Sequence, residues 1–432
     1  MSERRHESDV LVVGGGPAGI AAACCAAEAG LRVAIADDNP ALGGQIWRGE
    51  QELPTSKEAA AWYKRFNQLP VQRLLGTRVF AQADAHALVA EIEGRTCEIA
   101  FNKLILATGA RERFLPFPGW TLPNVMGAGG LQALAKTGLN LRGKRVVVAG
   151  TGPLLLAVAA YLKHHGADIR LIAEQAPRGR LFSFALSLSR QPSKWMQAAR
   201  LRREIRRVPY LTACWPVRAE GKDVLQSVTL HRGGKTWNVA CDYLACGFHL
   251  VPNTELAELL GCQLEEGRVR VDNFQQTSIS HVYCAGEPTG IGGLELSLVE
   301  GEIAGYAAAG KIQSARHLIA RRKRLQRFAD AMERAFALRP ELKHLPAPDT
   351  LMCRCEDVTF SRLREHNSWR SAKLITRCGM GPCQGRICGP AADFLLGWKP
   401  DSVRPPLFPV AVESLMAVAA AGTSETSLHN PR

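Results

Sequence analysis

No run of about 18 uninterrupted apolar residues occurs anywhere in the 432-residue chain, so no segment reads as a membrane-spanning helix. The opening residues MSERRHESDV are polar and give no expectation of a secretory signal, which leaves the cytoplasm as the expected compartment, with membrane association only through partners. Aromatic residues are scarce at 6 % and rarely stand among the basic ones, so stacking on single-stranded nucleic acid is not expected. Acid is in deficit, with 54 Lys and Arg against 40 Asp and Glu and a net charge of +14. The excess is local: Arg200, Arg202, Arg203, Arg206 and Arg207 form one block, and Arg321, Arg322, Lys323, Arg324 and Arg327 another. Both follow helical spacing and read as solvated faces or as docking surfaces for an acidic protein, not for nucleic acid. No Cys-x-x-Cys pair occurs in residues 1–312, which excludes a dithiol shuttle there. The thirteen cysteines are odd in number and unevenly spread, unlike the framework of a secreted disulfide protein. Cys24 and Cys25, inside an Ala-rich helical run, read as small hydrophobes.

What is present is an α/β chain long enough for two or three domains, with 46 % hydrophobic residues. Residues 10–13 read as a strand, followed by the turn Gly14, Gly15, Gly16, Pro17, Ala18 and Gly19, a helix over 20–29, and a second strand ending at Asp37. Gly14 allows the tight bend, Gly16 lets the backbone approach a pyrophosphate, and Gly19 lets helix and strand pack closely. Asp37 is placed to accept from a ribose, so the whole βαβ unit reads as a dinucleotide site. A second unit follows: a strand over 145–149, the turn Gly150 and Gly152, a helix, a strand over 168–173 and Glu174. Here Leu155 stands at the third glycine position, so either a retained structural domain or an NAD site is open, and Glu174 at the ribose position argues against NADP. Residues 103–109 and 281–287 read as strands running into glycine edges, 116–119 as a hinge, and 338–349 as a linker. No general-base constellation for an amine substrate is found, and His249 is left unassigned.

The densest chemistry is C-terminal. Cys353, Cys355, Cys378, Cys383 and Cys388 lie among Gly379, Gly381, Gly385 and Gly389. Such a segment suits a [2Fe–2S] cluster, because small residues let backbone N–H groups reach the sulfurs. A four-cysteine zinc site and a set of buried thiols are the alternatives; zinc favours paired cysteines two to four residues apart, whereas the first pair here is Cys-x-Cys.

Gly43, Gly44 and Gln45, the turn Ala107, Thr108 and Gly109, and the edge Gly286 and Glu287 resemble the three sites by which two-dinucleotide-domain flavoproteins of the glutathione reductase and thioredoxin reductase class hold FAD. The resemblance spans roughly residues 8–312 and implies a contact from Glu287 to the flavin's ribityl chain, with Glu standing where Asp is commoner. The cysteine segment resembles the bacterioferritin-associated-ferredoxin type of [2Fe–2S] domain, which implies Cys353, Cys355, Cys383 and Cys388 as ligands. The spacing of four between Cys383 and Cys388, where that family has two, leaves Cys378 as a spare. Together with Gly44, Gln45, Ile46, Trp47 and Arg48, and with residues 380–386, the chain resembles the B-type FAD and [2Fe–2S] subunit of D-hydroxyproline dehydrogenase, opine oxidase and hydrogen cyanide synthase. That resemblance implies an electron-transferring subunit served by a D-amino-acid-oxidase-like catalytic partner and a small ferredoxin-like subunit; a self-sufficient NADH-dependent reductase is the rival reading. The implied organisation is an FAD-binding domain of residues 1–113 and 241–312, a second dinucleotide-binding domain of 114–240, a helix and linker over 313–349, a small helical iron–sulfur domain over 350–400, and a tail from 401 to 432.

Overall fold

The computed structural model describes residues 4–52, 54, 56–188, 192–400 and 402–416. The chain divides into two compact units, one of residues 1–110, 252–327 and 402–432 and the other of 111–251 and 328–401.

The first unit is built on a seven-stranded sheet. Val71–Leu75, Val33–Asp37, Arg4–Val13 and Arg95–Leu106 run parallel in that order, and Val282–Cys284 pairs in parallel with the end of Arg95–Leu106. The other half of that long strand carries the antiparallel strands Ala87–Ile92 and Thr77–Asp84. Val10, Leu11, Val12, Leu104 and Ile105 are fully buried, as expected of parallel strands covered on both faces. The helices Pro17–Glu28 and Leu294–Ala308 pack together through small residues. A Cβ on Gly301 would lie 2.2 Å from Ala18 O, and one on Gly305 2.3 Å from Ala22 O. Backbone therefore touches backbone, which fixes the helix that follows the first glycine turn.

The second unit has a five-stranded parallel sheet in the order Tyr210–Thr212, Asp168–Glu174, Arg145–Thr151, Tyr243–Phe248 and Val125–Gly127. An antiparallel sheet of Cys214–Glu220, Ser227–Arg232 and Lys235–Ala240 accompanies it. The cysteine segment belongs to this unit and carries the short helices Phe360–Arg364, Trp369–Thr376 and Cys388–Leu396.

Several boundaries differ from the sequence reading. Residues 241–251, expected in the FAD-binding part, fall in the second unit because Tyr243–Phe248 pairs with Arg145–Thr151. The stretch 338–349 is no free linker: Leu342 and Leu345 are buried in the same core as Trp215 and Phe248. Residues 116–119, read as a hinge, are locked, since a Cβ on Gly119 would lie 2.0 Å from Ala219 O and Phe117 is fully buried. The tail starts as a packed segment, with Leu407 N donating to Phe80 O at 2.8 Å and Leu407 buried in the first unit's core. The polar end of that tail, 417–432, lies outside the described residues.

Gly305→Leu should overpack the helix contact, at a cost of about 1–3 kcal/mol or more. For a unit of this size that corresponds to an apparent midpoint lowered by about 2–4 °C per kcal/mol, read by circular dichroism on heating.

Candidate cofactor sites

Four segments of the first unit converge on the N-terminus of helix Pro17–Glu28. Gly14, at φ +110°, lies so close to the end of the neighbouring strand that a Cβ would be 2.1 Å from Ala107 O. Gly43 N donates to Gly15 O at 2.8 Å, and Ala285 N to Leu106 O at 2.9 Å. A Cβ on Gly286 would meet Ala18 Cβ at 2.9 Å. Gly19 sits so tightly that its Cβ would be 1.8 Å from Gly14 O. By contrast, a Cβ on Gly16 has no neighbour nearer than Gly44 Cα at 3.9 Å, and Gly109 has none within 4 Å. The sterically crowded glycines hold the turn, and the open ones line a cradle. The helix has no side-chain cap at Gly16 and no acid in its first turn, so its N-terminus is ready for phosphate. Gln45 is exposed beside Gly44.

Asp37 buttresses the turn: Oδ2 accepts from Gly15 N at 2.5 Å, and Oδ1 from Asn39 N and Nδ2 at 2.8 Å each. At 8 % exposure, it holds the loop as well as offering its remaining lone pairs to a ribose. Thr108 is clamped by Asn253, its Oγ1 donating to Asn253 O at 2.7 Å while Asn253 Nδ2 donates to Thr108 O at 2.9 Å.

Glu287 completes the edge. Its Oε1 accepts from Gly293 N at 3.0 Å, whereas Oε2 is buried with no hydrogen-bond partner among the described residues. Burial pushes this carboxyl from 4.5 up to about 7, with the charge of Glu300 adding to the effect. Beneath it, Glu300 Oε2 accepts from Gly286 N at 3.0 Å and from Thr289 Oγ1 at 2.9 Å, and Oε1 from Arg322 Nε at 2.9 Å. Arg322, counted in a block read as solvated, is thus half of an ion pair whose acid is 1 % exposed. The orphaned Glu287 oxygen and the open cradle at Gly16 and Gly109 fit FAD: one end needs a hydroxyl partner, the other a pyrophosphate.

The second glycine turn is different. Gly152, at φ +95°, caps helix Pro153–His164, and Leu155 is fully buried in the core beneath it. Glu174, expected at a ribose, has no exposed surface and is consumed internally: Oε2 accepts from Gly152 N at 2.8 Å, Oε1 from Ala176 N at 2.8 Å and from Thr151 Oγ1 at 3.0 Å. Thr151 Oγ1 and Gln175 Nε2 also lie within hydrogen-bond reach of Phe336 O, and Gln175 Oε1 accepts from Arg339 N at 3.1 Å. The chain itself therefore covers the end of the strand where a nucleotide ribose would be read. Sequence had no signal for this, because the acid occupies the usual position and only its surroundings differ.

The five C-terminal cysteines gather in one small core. Sγ atoms of Cys353, Cys378 and Cys388 lie within 4.8 Å of one another. Cys383 lies near enough to Cys388 and Cys355 for them to perturb its thiol, and Cys355 is the exposed member. Cys378, the spare of the sequence reading, is in the central trio, while Cys355 and Cys383 flank it. The cause is local: Arg377 and Gly379 adopt φ of +66° and +82°, which turns Cys378 inward. Proximity to Cys378 and Cys388 lowers the Cys353 thiol, and proximity to Cys388 lowers Cys383, while Cys353 in turn pushes Cys378 and Cys388 up. The backbone N–H groups of Gly379 and Glu356 favour the thiolate of Cys353, and those of Ile387 and Gly385 that of Cys383. Gly381 is required, since a Cβ would lie 2.2 Å from Cys355 Cβ. Trp369 covers Gly379 and Gly385. Converging sulfur donors and a lining of glycine fit a [2Fe–2S] cluster held by four of the five cysteines.

The profile of pyridine nucleotide-disulphide oxidoreductases matches residues 8–309. The chain belongs to this family. It is accordingly an FAD-dependent oxidoreductase with the family's mixed α/β Rossmann-like fold. Among curated relatives, the oxidoreductase is 31 % identical to hydrogen cyanide synthase subunit HcnB of Pseudomonas aeruginosa, over 88 % of this chain and 90 % of that one. It is 30 % identical to an opine oxidase subunit of Rhizobium meliloti, over 94 % of this chain and 97 % of that one. Among solved structures, L-proline dehydrogenase from P. horikoshii superposes with a TM-score of 0.68 at 19 % identity, covering 96 % of this chain and 80 % of that one. Thioredoxin reductase of T. acidophilum gives 0.56 at 21 % identity, over 71 % and 99 %. These two structures share the fold.

Arg48, Asn253, Glu300 and Arg322 were not singled out for a role by sequence. The buried Nε of Arg48 has no partner among the described residues; Asn253 and Glu300 engage backbone atoms and Arg322 engages Glu300, none of which motif spacing reports. Gly16→Val should fill the cradle and lower the flavin content of the purified protein at least tenfold, read from absorbance after denaturation. Glu287 keeps its proton in the folded chain after an unfolded glutamate has lost it, so its contribution to stability is complete below about 4.5 and lost as pH rises through about 7. In flavin-free protein, Glu287→Gln should flatten the fall in thermal midpoint across that window.

Proposed function

We propose that the chain is the electron-transferring FAD and [2Fe–2S] subunit of a heteromeric amino-acid or imino-acid dehydrogenase. In this reading a D-amino-acid-oxidase-like partner oxidises the C–N bond, a small ferredoxin-like [2Fe–2S] subunit completes the complex, and the assembly works in the cytoplasm. The observation that carries it is the gathering of the C-terminal cysteines, among glycines, in the same polypeptide as a flavin cradle. The relatives named as subunits of hydrogen cyanide synthase and opine oxidase support the division of labour.

FAD, when bound, accepts electrons in pairs and can release them singly. The residues of the chain do the rest. Gly14, Gly16 and Gly19 with the helix N-terminus bind the pyrophosphate, assisted by Gly44 and Asp37. Thr108 and Gly109, held by Asn253, and Glu287, held by Gly293 and backed by Glu300 and Arg322, orient the rest of the cofactor. Glu287, with its raised pKa, is able to hold or give up a proton at Oε2 near neutral pH. Cys353, Cys355, Cys383 and Cys388, with Cys378 beside them, hold the cluster while the glycines admit the backbone donors.

The rival reading, a reductase fed by NADH, is disfavoured by Glu174 and Gln175, whose polar atoms are spent on the turn and on residues 336–339. The experiment is anaerobic purification of the chain alone and with its co-encoded subunits. Iron and acid-labile sulfide should accompany FAD, and Cys353→Ser or Cys388→Ser should remove the iron and keep the flavin. Amino-acid oxidation should need the partner, and NADH should leave the flavin of the isolated chain oxidised. Zinc without sulfide, or rapid bleaching by NADH, would overturn the proposal.

A further inference from the structure

Of the thirteen cysteines, Cys355 alone is exposed. Its surroundings, all within the second unit, are apolar. Gly381 lies against it, since a Cβ there would be 2.2 Å from Cys355 Cβ and 3.3 Å from Glu356 Oε1. Met380 precedes that glycine and is 37 % exposed; Gln384 Nε2 donates to Gly381 O at 3.1 Å, and Ile387, in the same loop, is 40 % exposed. Arg377 ties the patch from the other side, its Nε donating to Glu356 Oε2 at 2.8 Å while its carbonyl accepts from Met380 N at 2.9 Å. It also ends helix Trp369–Thr376, which buries Trp369, Ala372 and Thr376 and leaves Leu374 64 % and Ile375 68 % exposed just before Arg377. Four large apolar side chains are thus held in solvent beside the one exposed sulfur. The charge around them is mainly basic: residues 351–400 carry eight Lys and Arg against four acids, Arg354 and Arg370 are exposed, and Glu356 is spent on Arg377.

From this arrangement we infer that the exposed edge at Cys355 is a docking face for a small acidic redox protein, the ferredoxin-like subunit of the proposed complex. The inference rests on the subunit reading and adds the face and the residues that meet that partner. An apolar centre containing methionine, inside a charged rim, is the anatomy of a protein interface. Arginines in such a rim draw in an acidic partner and speed its encounter more than they tighten the complex. The patch is small, and electron-transfer partners use the small end of the range of interface sizes. Its position selects a redox protein among acidic ones, because a partner seated on Met380 and Ile387 lies against a sulfur proposed as a cluster ligand, whereas the other cysteines are withdrawn from the surface. A second copy of this chain would bring one basic rim onto another, which opposes self-association through this face.

The test is anaerobic titration of the purified full-length chain into the co-encoded ferredoxin-like subunit, followed by the anisotropy of a fluorophore on that subunit. Binding should saturate and weaken as salt is raised. Leu374→Asp and Ile375→Asp combined should raise Kd about tenfold at unchanged FAD, iron and sulfide content and unchanged visible circular dichroism. Met380→Asp, on the other side of Arg377, should act in the same direction, and Arg370→Glu with Lys373→Glu should slow association and flatten the salt dependence. In the assembled complex these variants should shed the ferredoxin-like subunit and keep the catalytic one. Failure of the parent chain to bind, or unchanged affinity in both aspartate variants with iron and sulfide in place, would overturn the docking face and leave the subunit reading standing. A parent chain without iron and sulfide would overturn the subunit reading and this inference with it. Loss of the catalytic subunit while the ferredoxin-like one is retained, or a parent dimer that the aspartate variants dissociate, would give the face another occupant and overturn the proposal.

Discussion

Contact between main chains with no side chain in between is the constraint on which the flavin cradle depends. Gly14 meets Ala107, Gly19 meets the carbonyl of Gly14, and Gly301 and Gly305 let one helix lie directly on Ala18 and Ala22. Each contact fixes the helix N-terminus from a different side, so the amides facing a pyrophosphate are held by packing density and not by a capping side chain. A side chain at any of these positions would displace the helix by more than a hydrogen bond tolerates.

The same solution, main chain brought close by glycine, recurs at the cysteine core, where Gly381 lets the backbone press on Cys355 and Gly379 and Gly385 fit beneath Trp369. The two glycine turns nevertheless diverge in use. In the first, the acid at the strand end is bonded to the turn while Gly16 keeps open space. In the second, the acid, the threonine and the following glutamine are all engaged by the chain, and Leu155 is buried in the core where the first turn has the closely packed Gly19. The repeated architecture thus differs between its copies in how the acid is engaged, while Gly152, like Gly16, keeps open space beside it. The buried pair of Glu300 and Arg322 adds an electrostatic strut under Gly286, and because Glu300 is desolvated, its value lies in fixing geometry more than in net stability.

The strand–turn–helix units were legible because glycine is the residue type that permits these approaches and because buried strands show as apolar runs. Most of what escaped was decided by neighbours far away in sequence. Pro340, Pro346 and Pro348 give residues 338–349 a linker's composition, and nothing local reveals that Leu342 and Leu345 enter a distant core. Arg322 sat in a run of like charges, so its spacing suggested water, whereas Glu300 lies beneath it. Glu174 held the right position for a ribose and was withdrawn by hydrogen bonds that leave no trace in spacing. Cys378 was set aside on ligand spacing, and the left-handed residues on either side brought it inward.

The order in which the chain visits its two units has a consequence for biosynthesis. Gly286 and Glu287, one wall of the cradle, come after nearly the whole parallel core of the second unit, and Leu407, which closes the edge strand at Phe80, comes after the cysteine segment. A nascent polypeptide emerging from the ribosome at about 5–20 residues per second therefore assembles the later unit's sheet before the earlier one is complete. Prosthetic-group loading must wait until Glu287 has been synthesised.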